Sequence, residues 1–261
     1  MRLDRYLAQN GLAPSRQRAL ALIKAGAVTL DGKTETRPSA KTDGRTVSVT
    51  GEGLRYVSRG GLKLEEALNV FEIDPAGKVC LDLGASTGGF TDCLLQNGAR
   101  KVYALDVGHG QLSPKLQDHP AVVNIEGCNA RAVAPELFSE IIDLAVSDLS
   151  FISQRLIYAP LSAVLPVGTP FISLIKPQFE AGKSAVGKNG IVRDRGVHER
   201  VIAELAQEAH EAGFGLTALC ASPIRGGDGN REYLALFVRG EECRVTLGAI
   251  HDTVNDEENG E

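Results

Sequence analysis

The 261-residue chain has no tryptophan, a single methionine and few aromatics, 5% in all. Its 43% hydrophobic content is therefore mostly aliphatic. That is enough for a globular core, which excludes a disordered or collagen-like chain. The five cysteines, Cys80, Cys93, Cys128, Cys220 and Cys243, include no Cys-x-x-Cys pair. A zinc site is excluded on that spacing, no metal is expected, and the thiols read as reduced, buried small hydrophobes. The start, Met1-Arg2-Leu3-Asp4-Arg5-Tyr6, lacks the apolar core of a signal peptide, so a cytoplasmic location is expected. An uncharged stretch from Leu156 to Ile175 matches a membrane span in length. Pro160, Pro166, Gly168 and Pro170 break it, and a helix, a turn and a buried strand are expected instead.

Charge is scarce as a net quantity, −5, yet unevenly placed. Residues 1–60 hold 11 Lys+Arg against 5 Asp+Glu, and residues 241–261 hold 1 against 7. A basic first quarter reads either as an anion-binding module or as chance clustering of solvated charges. The pattern there suggests a small unit over residues 1–50. Leu3 and Leu7 stand four apart, and Pro14-Ser15 signals a helix start. Ala19, Leu22 and Ile23 share one face of a helix that Gly26 closes. Strands are expected at 27–30, before the tight turn Asp31-Gly32, and at 46–49. Residues 51–57 read as a linker. From residue 58 to 240, apolar runs at 79–83, 102–105, 122–125, 141–146 and 171–175 alternate with helical segments. This predicts a parallel sheet covered by helices on both faces. A long helix near 197–212 and two late strands, 216–221 and 233–238, complete it. The acidic tail, 241–261, is expected to fray.

The motif Asp82-Leu83-Gly84-Ala85-Ser86-Thr87-Gly88-Gly89-Phe90 ends a strand in a glycine-rich turn that opens a helix. Such a turn brings backbone and helix N–H groups close to a ligand. Ser86 stands where a dinucleotide fingerprint needs glycine, and the Gly-Lys-Ser/Thr of a P-loop is missing. S-adenosylmethionine, which has no pyrophosphate, is the option left; a purely structural turn is the alternative. Asp106 ends the next strand, placed to accept from ribose hydroxyls, and Asn129 follows the third. Asp148 and Lys176 end two further apolar strands, where open α/β sheets hold their sites. Lys63 lies near the start of the first helix, and Glu232 begins the last strand.

These stretches resemble the haemolysin-like TlyA group of rRNA ribose 2′-O-methyltransferases, whose catalytic half is related to the FtsJ methyltransferases. The matching segments are Val57–Leu64, Asp82–Cys93, Ser150–Ser153, Lys176–Glu180 and Gly229–Glu232. Ser86-Thr87 departs from the broader family's Ala-Pro in the way typical of this branch. The resemblance implies an α/β, Rossmann-like class I methyltransferase with a mostly parallel seven-stranded sheet, behind a small α+β RNA-binding domain like that of ribosomal protein S-four. It implies a catalytic tetrad of Lys63, Asp148, Lys176 and Glu232. It also implies S-adenosylmethionine held by Asp82, Gly84, Ala85, Ser86, Thr87, Gly88, Gly89, Phe90, Asp106, Asn129 and Asp148. Ribosomal RNA, within a ribosomal subunit, is the expected partner, met by Arg2, Arg5, Arg16, Arg18, Lys24 and Arg59. Phe151 is a candidate to stack on the target base, or else a core aromatic. A haemolytic, membrane-active protein is the competing reading. Lys176 is expected to accept the hydroxyl proton; a charged Lys176 stabilising the alkoxide is the rival assignment.

Overall fold

The computed structural model describes residues 1–10, 12–13, 16–24, 26–49, 55–187, 190–226 and 229–256. The chain divides between Arg55 and Tyr56 into two compact units. In the first, α1 (Leu3–Gln9) and α2 (Arg16–Lys24) are followed by β1 (Val28–Leu30), β2 (Lys33–Thr34) and β3 (Val47–Val49). The strands form an antiparallel sheet in the order β2-β1-β3. Leu3, Leu7, Ala19, Leu22, Ile23, Val28 and Leu30 make its core, as the helical and alternating spacings predict. Asp31 and Gly32 both take positive φ, 53° and 77°, which suits the two-residue turn between β1 and β2. The expected start signal Pro14-Ser15 lies outside the described residues, as does most of the expected linker.

The second unit begins earlier than position 58. Tyr56 is buried among Leu64, Phe90 and Leu94, and Val57 N–H donates to the buried Asp92 carboxylate at 2.8 Å. It then runs α3 (Gly60–Val70), β4 (Val79–Leu83), α4 (Gly89–Gln96), β5 (Lys101–Leu105), α5 (Pro114–Gln117), β6 (Val122–Ile125) and β7 (Leu144–Ser147). It ends with α6 (Arg155–Val164), β8 (Pro170–Ile175), α7 (Pro177–Glu180), α8 (Arg195–Glu211), β9 (Phe214–Ala221), β10 (Tyr233–Arg239) and α9 (Leu247–Asn255). The sheet order is β6-β5-β4-β7-β8-β10-β9. The first five strands are parallel, and β10 enters antiparallel between β8 and β9.

Alternation along the strands divides the core in two. Val79, Leu81, Leu83, Ala145, Phe171 and Ile175 pack with α6, α8 and α9. Cys80, Leu144, Val146, Ile172 and Leu174 pack with α3 and α4. The uncharged stretch at 156–175 is α6, a turn and β8, and no described helix is long and apolar enough to cross a membrane. Two sequence expectations change. The tail does not simply fray: Thr246 caps α9, and Ile250 and Val254, four apart, are buried against the larger cluster. Cys80 and Cys93 are buried, but Cys243 is exposed.

Candidate active site

The strand order reverses between β4 and β7, and ligands of such sheets bind outside the carboxyl ends of the strands at that point. A cavity of about 710 Å³ lies there, lined by Gly84, Ser86, Asp106, Asn129 and Asp148 among others. A smaller one of about 280 Å³ is lined by Arg59, Lys63, Thr87, Phe90, Asp148 and Lys176. Gly84, Ser86, Asp148 and Ser150 line both, so the two are adjoining chambers with the glycine loop and Asp148 between them.

The loop is built to stay close. Gly84 has φ 82°, and a Cβ there would sit 2.9 Å from the backbone oxygen of Asp148. Ser86 also takes a positive φ, 47°, and Asp106 holds it: one carboxylate oxygen accepts from Ser86 N–H at 2.8 Å, the other from Gly108 N–H at 2.7 Å. Asp106 thus braces the loop while lining the larger cavity. Asn129 lines it too, its side chain capping the next turn by accepting from Arg131 N–H at 3.0 Å. Gly88 does something else. A Cβ there would meet Leu116 at 2.2 Å, so its role is to let α5 pack on the loop. Phe90 belongs to the core around α3 and α4 as well as to the smaller cavity wall.

Asp82 is fully buried on the face of β4 that meets α4, where it accepts from Thr91 Oγ1 at 2.6 Å. Its second oxygen has no hydrogen-bond partner among the described residues. Burial pushes its pKa up to about 7, the Thr91 hydrogen bond opposes this, and Asp148 and Asp106 add to it. The folded chain therefore holds a proton that the unfolded chain releases, and stability falls as pH rises from about 4 to about 7. Asp82→Asn should remove that slope, worth on the order of 4 kcal/mol. Denaturant unfolding at pH 5 and pH 8 checks this; equal slopes in both proteins would refute it. The glycine loop and Asp106, both on the wall of the larger cavity, fit S-adenosylmethionine, with its adenosine and amino-acid ends, whereas Asp82 lines neither cavity and supports the loop from within the core.

The four dispersed residues come together as two pairs. Lys176 Nζ lies 2.6 Å from Asp148 Oδ1, an ion pair without hydrogen-bond alignment, and donates to Ser150 Oγ at 2.9 Å. Lys63 Nζ donates to Glu232 at 2.5 Å. The antiparallel register Tyr233↔Ile175 explains the meeting: it sets Glu232 beside Lys176 at the strand ends. Glu232 lines neither cavity, so it holds Lys63. Sequence reading missed Ser150 as the partner of Lys176, although it sits in a quoted motif. Arg59 is exposed at the smaller cavity, and Phe151 is 91% exposed, hence no core aromatic.

In the first unit the expected RNA-facing cations are unequal. Arg5 and Lys24 are exposed, and Arg18 is partly buried. Arg2 and Arg16 instead converge on the buried Asp4, at 3.0 and 2.8 Å, and hold its carboxyl down at about 2. Both remain about half exposed, so their outer faces stay open to an anion.

The FtsJ-like methyltransferase family matches residues 56–239, and the S4 domain matches residues 1–43. The chain is 44% identical over 257 residues to the 16S/23S rRNA (cytidine-2′-O)-methyltransferase TlyA of Mycobacterium tuberculosis, covering 97% of this chain and 96% of that one. It is 45% identical to Hemolysin A of Brachyspira hyodysenteriae, covering 91% of this chain and 100% of that one. A solved structure described as a hemolysin from Streptococcus thermophilus aligns with TM-score 0.79 at 41% identity, over 97% of this chain and 94% of that one. The chain belongs to the FtsJ-like methyltransferases, enzymes that use S-adenosylmethionine, and carries an S4 domain ahead of the catalytic one.

Proposed function

We propose that the protein methylates a ribose 2′-hydroxyl of ribosomal RNA, at cytidine, within a ribosomal subunit. The observation that carries this is the smaller chamber, where Lys63, Asp148 and Lys176 line a space that adjoins the glycine-loop cavity and shares Gly84, Ser86, Asp148 and Ser150 with it. Bound in that larger cavity, S-adenosylmethionine would supply a methyl group on a cationic sulfur, already a good electrophile. The protein's part is to align the hydroxyl and to manage the charge that grows on its oxygen as the proton leaves. Lys176 faces that task. The carboxylate of Asp148 beside it suits a charged Lys176 placed to stabilise the developing alkoxide, in preference to one that abstracts its proton. Lys63, fixed by Glu232, adds a second cation to the chamber wall.

RNA would be met in two ways. The exposed cations Arg5, Lys24 and Arg59, with the outer faces of Arg2 and Arg16, suit phosphate contacts that position without reading sequence. A ribose inside a duplex is out of reach of a chamber this narrow, so the target nucleotide must be exposed or flipped. Phe151 stands ready to stack on its base. Cytidine is taken from the M. tuberculosis relative, whose substrates are 16S and 23S rRNA.

The test is incubation with methyl-labelled S-adenosylmethionine and separate small and large ribosomal subunits, followed by digestion to nucleosides. Label is expected in 2′-O-methylcytidine. Label on a base, or none in RNA, overturns the proposal. Vesicle leakage without label would support the membrane-active reading that the hemolysin names carry.

A further inference from the structure

Glu180 closes the segment Lys176-Pro177-Gln178-Phe179-Glu180 but lines neither chamber. Its side chain is only 2% exposed, and burial raises its pKa. A carboxylate removed from water is costly unless its oxygens are well used. These are: one accepts from Ser153 Oγ at 2.6 Å, the other from Gln154 N–H at 2.9 Å. Both donors sit at the end of the segment that leads from Asp148 to α6.

That segment carries a strained residue. Phe151 has φ 63°, a left-handed backbone that costs a bulky side chain about 1–3 kcal/mol. At 91% exposure its ring gains little burial to offset this. Its ring contact is Phe179 of α7, centroids 5.0 Å apart and tilted by 50°. The segment is fixed on both sides of Phe151. Before it, Ser150 accepts from Lys176. After it, Glu180 takes Ser153 and Gln154, and Gln154 Nε2 donates to Leu174 O at 2.6 Å. Arg155 adds a brace behind, its Nε 3.8 Å from Glu180 and its other nitrogens 2.7 and 2.6 Å from Glu204 and Glu208 of α8. A strained aromatic without burial keeps its place only because its flanks are tied.

We propose that Glu180 is a positioning residue: it clamps the Ser153–Gln154 end of this segment to α7, and so holds the exposed Phe151 ring above Phe179, facing the incoming nucleoside. The proposal rests on the reading that Phe151 stacks on the target base. It assigns the buried acid of the Lys-Pro-Gln-Phe-Glu motif to substrate presentation, not to cofactor binding or methyl transfer.

A double-mutant cycle tests it, using the full-length protein and a ribosomal subunit substrate. Phe151→Ala should lower kcat/KM for the subunit by about tenfold, the loss of one base stack. Cofactor Kd by calorimetry should stay unchanged. Glu180→Ala should do the same. Glu180→Gln, which can still accept from Gln154 N–H, should recover much of the loss. In the Phe151→Ala background, Glu180→Ala should cost no more than twofold further. If the two losses multiply, or if Glu180→Ala alone is silent, the positioning role is overturned. If Phe151→Ala is silent, the stacking reading fails, and a Glu180→Ala loss persisting in that background overturns the clamp as well. Ser153→Ala removes a donor from the segment itself and gives the same cycle should Glu180→Ala fail to fold.

Discussion

Replacing Lys176 with alanine is expected to lower the single-turnover methylation rate about a thousandfold, while S-adenosylmethionine affinity stays within about tenfold, about 1.4 kcal/mol. The split follows from where the side chain lies. Lys176 lines the smaller chamber and is absent from the wall of the larger one. Its ammonium is almost enclosed, with Asp148 and Ser150 as fixed partners. A preorganised cation in such a place is worth far more to an alkoxide than one in water. Lys176→Arg separates the two chemical roles. Arginine keeps the charge and cannot give up a proton, so electrostatic stabilisation predicts a rate well above that of the alanine variant. An arginine variant as slow as alanine, with cofactor and subunit binding intact, would return Lys176 to the role of proton acceptor. Single-turnover kinetics on pre-bound subunits isolates the step.

The parts of this site that were legible in the sequence are those written locally. Short, mainly apolar runs marked β4, β5, β7 and β8, because inner parallel strands are buried on both faces, and marked β6 as well, although at the sheet edge its Val123 and Asn124 are exposed. The glycine loop, Asp106 and the strand-end positions of Asp148 and Lys176 followed from the same reading. Strand limits were less legible. Ile141 extends the apolar run of β7 but is 71% exposed, and the strand begins only at Leu144. Contacts set by topology were not legible from the residues alone. Lys63 and Glu232 lie 169 positions apart, and only the entry of β10 beside β8 brings them together. Nor does spacing reveal that Asp4, two residues from Arg2, also gathers Arg16, since that second pairing depends on how α1 and α2 cross. In α9 two apolar anchors were masked by the acidic composition around them. Phe151 was open between core and stacking roles until its exposure was known.

Breaking the Lys63–Glu232 pair should cost more stability than any other change in the site. The two side chains are 10% and 3% exposed, so removing either partner strands the other charge in a place water hardly reaches. Glu232→Ala or Lys63→Met should each destabilise the protein by about 3–5 kcal/mol. For a unit of this size that corresponds to a fall in Tm of roughly 6–20 °C. The double variant Lys63→Met, Glu232→Leu behaves differently. Apolar side chains of similar volume need no desolvation to be offset, and such replacements of buried pairs are close to neutral or stabilising. The double variant should therefore regain most of the lost Tm, while its methylation stays far below that of the parent protein. Thermal unfolding and methyl transfer measured on the three variants decide between roles. Recovery of Tm without recovery of activity means that the pair is kept for the chamber's second cation. Recovery of both would leave Lys63 a packing residue and remove it from the catalytic group. Failure of the double to regain Tm would show that the pair itself, and not the stranding of one charge, stabilises the neighbouring elements, and would overturn the prediction.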